Sequence, residues 1–495
     1  MNRPGFPGRE PDACRTVPIP VPAHRTMRTA RPAPGPNRAR WGDFALADLQ
    51  TQPMMIVPPA TTAAASTEKK PGAGEGLALS ISSALGALAG LASWLIAARL
   101  LPQAEVGLAA AVVSAFILIA GITQLNLGLG LIRWLPVAGR HAPPLVWRSL
   151  WLIMPLSAVA GLGYVLFVPD LARTAAGPDG PLAIGMCLFA LAAAGWGVFV
   201  VHDYILVAIG KPWWTVWRNG LFAAVRITLL VVLGSKLGAQ GVVLSWVGPI
   251  VVWITAGSFV LLVVVRRFAR ADCGTGVMPC RSEVIGFLGP TATAQVGYTL
   301  LLNQVPLVVI LRFGPESGAA FFIAWQATVV LETAANYYMH SLSASWAREP
   351  ERGAELTSSS RKRLLVIFLP LLGVGALLAG PGLAIFGSGY AAAADMLRLL
   401  LVGLAFRLLV VHELGVRTAA GHGMAYARLH TASTLLVLVV ALLVPASPEP
   451  DPSGVSADLL PVTLGYVAVQ VACAAHVVLV RLMGRARRRA AAEVA

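Results

Sequence analysis

Residues 98–136 read ARLLPQAEVGLAAAVVSAFILIAGITQLNLGLGLIRWLP, and between Glu105 and Arg133 the stretch carries no charge. A bilayer core of about 30 Å takes roughly 20 apolar residues as a helix, because lipid offers the backbone no partner outside the helix itself. The uncharged run from Val106 to Ile132 is longer than that. Composition extends the reading to the whole 495-residue chain, which is 57% hydrophobic before its 49 Gly are counted and only 12% charged. Soluble domains run near 45–50% apolar with glycine included and about 25% charged. So little polar surface cannot cover a water-facing globule, and an all-α polytopic membrane protein is expected.

The same length rule gives about twelve spans. They run over 76–100, 105–132, 145–168, 182–209, 216–233, 241–265, 284–311, 318–345, 364–386, 392–416, 424–444 and 459–482. Residues 1–75 differ from all of these: they are rich in Pro and Arg and have no apolar period, so a disordered arm is expected there. The five cysteines have no metal-ligand spacing, and no metal site is expected.

In a soluble chain the net charge of +15 would suggest nucleic acid, but here it first reads as topology. Cytoplasmic loops collect Lys and Arg. With the N-terminus inside, only Arg99, Arg173, Lys236 and Arg312 of the 38 Lys and Arg fall outside, and Arg226, Arg398 and Arg407 lie within spans. All the others face the cytoplasm, so both termini are expected there, in the cell's cytoplasmic (inner) membrane. Trp134, Trp147, Trp151, Trp213, Trp214, Trp217 and Trp346 sit at inner span ends, where amphipathic rings prefer the headgroup level.

The turn Arg99-Leu-Leu-Pro102-Gln-Ala-Glu105-Val-Gly107 has a counterpart in Arg312-Phe-Gly-Pro315-Glu316-Ser-Gly318, each between an odd span and the next. Recurrence on one side of the membrane is expected of a parallel repeat about an axis along the membrane normal. The chain then divides into an N-lobe over 76–265, a basic loop over 266–283, a C-lobe over 284–482 and a basic tail over 483–495.

Residues 98–136 resemble the opening of the polysaccharide transporters of the multidrug/oligosaccharidyl-lipid/polysaccharide (MOP) flippase superfamily. In that family a first helix ends in A-R-L-L-x-P-x-x-x-G and a second in G-L-x-x-x-L-I-R-x-L-P. Similarity continues in HDYILVAIGKPWWTVWRNGLFAAVRITLLVVL (202–233), RFGPESGAAFFIAWQATVVLETAANYYMHSLSASWARE (312–349) and GYAAAADMLRLLLVGLAFRLLVVHELGVRTAAGHGMAYARLH (389–430). The resemblance implies two six-helix lobes in a V-shaped bundle around a polar cavity that opens alternately to either side. It also implies a polyprenyl-diphosphate-linked oligosaccharide as cargo, a proton or sodium gradient as driving force with no cofactor, and glycan polymerase and glycosyltransferases as partners beside membrane lipids. A drug or metabolite antiporter of the same superfamily is the alternative. A membrane-embedded glycan polymerase or transferase would need a large outer loop or a nucleotide-sugar domain, and no phosphate loop or catalytic carboxylate pair is present, so an enzyme is not expected.

Flipping such a lipid needs cations for the diphosphate and hydrogen-bonding groups for the sugar. Charges on spans are costly in lipid and mark such paths. The eighth span carries Glu332, Thr333, Asn336, His340 and Ser343 at helical spacing, and the seventh adds Gln295, Tyr298, Thr299, Asn303 and Gln304 between Pro290 and Pro306. Interhelical glue is the plain reading of such polar groups. Arg226, Arg398 and Arg407 are the cations to test for the diphosphate, Arg offering a planar fork to phosphate oxygens, with Arg398 near enough to the outer surface to snorkel to it instead. Arg407 could instead pair with Glu332 or Glu413. Glu332, Asp203 and Glu413, with His340 and His412, are the candidate carriers of a coupling ion. A hairpin of the fourth and fifth spans puts Asp203 level with Arg218, whereas Arg226 lies about two turns, roughly 9 Å, deeper. Residues 77–98 contain no acid or base. That argues against acidic-first-helix antiporters and against lipid II flippases, whose early helices carry cavity arginines.

Substituted-cysteine labelling in whole cells tests the topology. Reagent confined to the outside should modify positions in 445–458 and spare those in 266–283; the opposite pattern inverts the orientation.

Overall fold

The computed structural model describes residues 73–271, 276–348, 350–420, 422–445 and 456–494. The arm up to residue 72 and the loop over 446–455 lie outside them. The described chain is helical: α1 Ala73–Leu100, α2 Gln103–Thr123, α3 Leu127–Trp134, α4 Ala142–Phe167, α5 Pro169–Ala176, α6 Leu182–Ala208, α7 Pro212–Leu229, α8 Ser235–Val252 and α9 Ser258–Ala271. There follow α10 Arg281–Thr299, α11 Val305–Phe313, α12 Pro315–Arg348, α13 Gly353–Leu377, α14 Ala379–Ala384, α15 Ser388–Ala391, α16 Ala394–Ala419, α17 Gly423–Leu443 and α18 Ser456–Val494. Three π-helical turns, Leu230–Gly234, Trp253–Gly257 and Leu300–Gln304, join α7 to α8, α8 to α9 and α10 to α11.

Among the described residues nine helical stretches are long and apolar enough to cross a membrane, against the twelve or so expected. The difference has three sources. Two expected spans fall in the single stretch Pro212–Ala271, which breaks at Gly238, where φ is +56° and ψ −134°. Only Gly86–Leu100 of α1 counts, as a short apolar helix. The first part of α13 carries Glu355, Arg361, Lys362 and Arg363, which shortens its apolar run.

One packing scheme occurs twice. In the first half α1 packs on α7, α2 on α6, α4 on α6 and α6 on α8; in the second, α10 packs on α17, α12 on α16, α13 on α16 and α16 on α18. Taken in order, each helix of the first set has one counterpart in the second. Lipid is as apolar as a leucine side chain, so such contacts rest on close approach and on polar bonds rather than on hydrophobic burial. The run Ala109-Ala110-Ala111 is at most 2% exposed. Small side chains there let neighbouring backbones come near.

The halves meet along α2. Its apolar window is 83% buried, against 28% for the stretch containing α4, which places α2 at the centre and α4 at the lipid. At one end the repeated turns themselves touch: Gln103 Nε2 donates to Glu316 O at 2.8 Å, and a Cβ at Gly107 would strike the Pro315 carbonyl oxygen. The two repeat arginines each reach a carbonyl of the second half, Arg99 Nε to Ile385 O at 2.7 Å and Arg312 Nη1 to Ala441 O at 2.8 Å. At the other end Trp134 Nε1 donates to Glu283 Oε1 at 3.3 Å and its ring lies edge-on to Phe287, while Arg133 stands 3.8 Å from the same carboxylate. Trp134 is 3% exposed, so it is a contact between halves and not part of a headgroup belt; Trp147, Trp151, Trp213, Trp214 and Trp217 are exposed. The expected second span is broken too. Leu125 and Asn126 both have positive φ, a costly conformation for residues with a Cβ. Asn126 Nδ2 donates to Thr291 O at 3.3 Å, tying the break to α10.

Gly107→Ala should cost about 1–3 kcal/mol, the usual penalty for overpacking. Gly163→Ala, where a Cβ meets open space, should be neutral or stabilising by up to about 1 kcal/mol. Thermal unfolding of the two purified variants checks this; equal midpoints would remove the close approach from the account.

Candidate functional site

Glu332 lies on α12 and Arg407 on α16, two helices that pack closely. Arg407 Nε donates to Glu332 Oε1 at 2.7 Å, with the two side chains 1% and 8% exposed. Of the two pairings open for Arg407, this is the one formed. Arg407 Nη1 also points at Gln470 Oε1 of α18, 3.5 Å away. Tyr298 of α10, His430 of α17 and Tyr466 and Cys473 of α18 lie within electrostatic range of the pair. The His430 ring stands between Tyr298 and Tyr426, edge-on to both at 5.8 Å.

The site is only partly satisfied. Asn336 Oδ1, one helical turn beyond Glu332, has no hydrogen-bond partner, and neither do Gln470 Nε2, His430 Nδ1 and Thr434 Oγ1; all are buried. Each such atom costs about 1–3 kcal/mol, and native proteins keep few of them outside functional places. Five helices therefore converge on a neutral ion pair fringed by unused donors and acceptors. Chemically, such a site can take up a proton or a small cation at the carboxylate, and doing so frees the guanidinium.

Other expected residues stand elsewhere. Gln295 Nε2 bonds Thr299 Oγ1 at 3.2 Å and Asn303 Nδ2 bonds Thr299 O at 3.2 Å, both within their own helical stretch. Thr299 closes against Gly121 of α2, so this group belongs to the junction between halves. Glu413 does not reach Arg407: it is held by Arg417 at 3.0 Å and by Arg481 at 2.6 Å, with His412 bonded to Arg481 and to Ser360. Arg398 is exposed and paired with Asp395 at 2.5 Å. The side chains of His340 and Ser343 lie outside the described residues.

In the first half Asp203 and Arg218 form the pair expected from the hairpin register, 2.7 Å apart and 4% and 6% exposed. Asn219 Nδ2 donates to the second carboxylate oxygen at 3.1 Å, and Arg218 also bonds Phe199 O and lies over that ring. Arg226 is separate from both pairs. It sits among α1, α7 and α8, where its Nη2 donates to Ala89 O and Ser93 Oγ. His430, Thr434 and Gln470 were missed in the sequence, although a polar residue in an otherwise apolar span was the available signal.

No protein-family model and no curated protein matches the chain. Among solved structures it is similar to an inward-facing multidrug resistance MATE family transporter of the MOP superfamily, at 18% identity and a TM-score of 0.59, covering 84% of this chain and 98% of that one. It is also similar to the lipid II flippase MurJ in an inward closed conformation, at 13% identity and a TM-score of 0.60, covering 81% and 86%. A third is a Pyrococcus furiosus MOP superfamily transporter described by the reverse polarity of its binding pocket, at 18% identity and a TM-score of 0.54, covering 83% and 94%. The chain therefore has the all-helical fold of MOP-superfamily transporters, a multi-pass membrane architecture.

Removing one partner of a buried pair strands the other charge. Arg407→Met should cost about 3–5 kcal/mol, while Glu332→Leu/Arg407→Met together should come within about 1 kcal/mol of wild type or exceed it. Thermal unfolding and membrane abundance read both; a double variant as unstable as the sum of the singles would contradict the pairing.

Proposed function

We propose that the protein is a flippase that moves a polyprenyl-diphosphate-linked oligosaccharide from the inner to the outer leaflet of the cytoplasmic membrane, for surface polysaccharide synthesis. The observation that carries this reading is the buried Arg407–Glu332 pair in a transporter fold, with unpartnered polar atoms around it. A guanidinium whose charge is balanced by a carboxylate is a diphosphate site that can be switched on. In one state Glu332 neutralises Arg407. Uptake of a proton or sodium ion at Glu332 removes that compensation, and Arg407 then binds the diphosphate with its planar fork. Asn336, Gln470 and His430 supply hydrogen bonds to the sugar or to water. Loss of the ion restores the pair and expels the anion.

The lobes over 76–265 and 284–482, joined by the basic loop over 266–283, are the moving bodies in this scheme, with both termini cytoplasmic. The contacts at the two ends of the α2–α3 stretch are the gates. Opening outward parts Gln103 from Glu316 and Gly107 from Pro315; opening inward parts Trp134 and Arg133 from Glu283. Likeness of fold to a lipid II flippase and the resemblance of residues 98–136 to polysaccharide transporters support a lipid-linked cargo. The uncharged stretch over 77–98 speaks against a cation-exporting antiporter, which draws its substrate to an acid.

The stable double variant Glu332→Leu/Arg407→Met separates transport from folding. In a glycan-producing host deleted for its own copy, it should reach wild-type membrane levels yet reduce surface glycan at least tenfold. Wild-type glycan levels from that variant would make the pair structural and sink the proposed mechanism.

A further inference from the structure

Arg226 is the buried arginine whose charge the described residues leave unbalanced. It is 5% exposed, and no carboxylate among the described residues lies within ion-pair distance, whereas Arg218 and Arg407 each face one at 2.7 Å. Its Nη2 donates to Ser93 Oγ at 2.7 Å and to Ala89 O at 3.0 Å, both neutral acceptors, and its Nε is buried with no partner. The guanidinium lies 4.3 Å over the Trp246 ring and 5.8 Å from that of Phe222. Those ring faces attract a cation but bring no net charge. A cation withdrawn from water into a low-dielectric interior calls for a counter-charge.

Beside it is a pocket of about 10 Å³, room for one water-sized species, lined by Arg226, Ser93, Trp94, Leu230, Ser245 and Trp246. The hydroxyl hydrogens of Ser93 and Ser245 are already turned to Ala89 O and Val242 O, and Arg226 is the one charged residue of the lining. Leu230 begins a π-helical turn, an irregularity that recurs at functional positions. We propose that this pocket binds a single small monovalent anion, a halide of the size of chloride. A water molecule there would leave the charge unbalanced, and the room is for one small species. The inference does not depend on which substrate the protein transports.

The test uses the purified full-length protein in detergent, unfolded thermally in sodium gluconate with increasing sodium chloride or bromide at constant ionic strength. The midpoint should rise saturably by a few degrees with either halide and stay flat with phosphate. Arg226→Gln and Arg226→Met should abolish the rise, and Arg226→Met should unfold in gluconate no earlier than wild type, since it buries no charge. Bromide-soaked wild-type crystals should show an anomalous peak in this pocket beside the Arg226 guanidinium, which decides the matter should neither variant fold. A wild-type midpoint indifferent to halide, a rise that persists in both variants, or a bromide peak only elsewhere would overturn the proposal. A rise with phosphate or diphosphate alone would also overturn it, and would assign Arg226 to the lipid-linked substrate.

Discussion

A guanidinium and a carboxylate 2.7 Å apart, inside a bundle whose helices are bathed in lipid, hold one another in place. Either alone would be a bare charge away from water; together they form a dipole that the surrounding amides and rings can tolerate. The second half is arranged around that bond. Glu332 fixes one face of α12, Arg407 fixes the facing side of α16, and Gln470 and Tyr466 bring α18 against both. Lipid supplies no hydrophobic pressure to gather these helices, so the polar bond and close packing must do it.

The first half repeats the packing scheme with different chemistry. The α6–α7 contact is locked by Asp203, Arg218 and Asn219, which bond one another and leave Arg218 Nε without a partner. Arg226 lies in the contact among α1, α7 and α8 with neutral acceptors and a tryptophan face instead of a carboxylate. One half thus holds a balanced pair fringed by unused polar atoms, and the other an unbalanced cation beside a small pocket. Two copies of a scaffold need not carry two copies of a site. Between them the α2–α3 stretch is the shared element, touching the second half at both of its ends.

Some of this was legible in the sequence because its cause is local. The turn Arg99-Leu-Leu-Pro102 and its partner Arg312-Phe-Gly-Pro315 are set by proline and glycine, and the helices that follow them touch through Gln103 and Glu316. The Asp203–Arg218 pair followed from counting residues around a helical hairpin. Arg407 and Glu332 stood out as charges on apolar runs, although choosing between Glu332 and Glu413 required the helix packing. What stayed hidden depends on neighbours distant in the chain. The break at Leu125 and Asn126 is stabilised by Thr291 on α10, and no residue beside it announces it. Trp134 looked like an interfacial ring because its partners, Glu283 and Phe287, lie about 150 residues away in the chain. His430 and Gln470 each look like solitary polar residues until α17 and α18 are placed against Arg407.

The central claim is that this bundle carries an anionic lipid-linked sugar across the bilayer. It is tested most directly by reconstituting the purified protein in liposomes with a fluorescent undecaprenyl-diphosphate oligosaccharide in the inner leaflet, then measuring its appearance in the outer leaflet under an imposed proton or sodium gradient. The account predicts protein-dependent translocation that rises with the gradient and is competed by other polyprenyl-diphosphate sugars. Translocation no faster than in protein-free liposomes, with gradient-driven uptake of an organic cation instead, would contradict it.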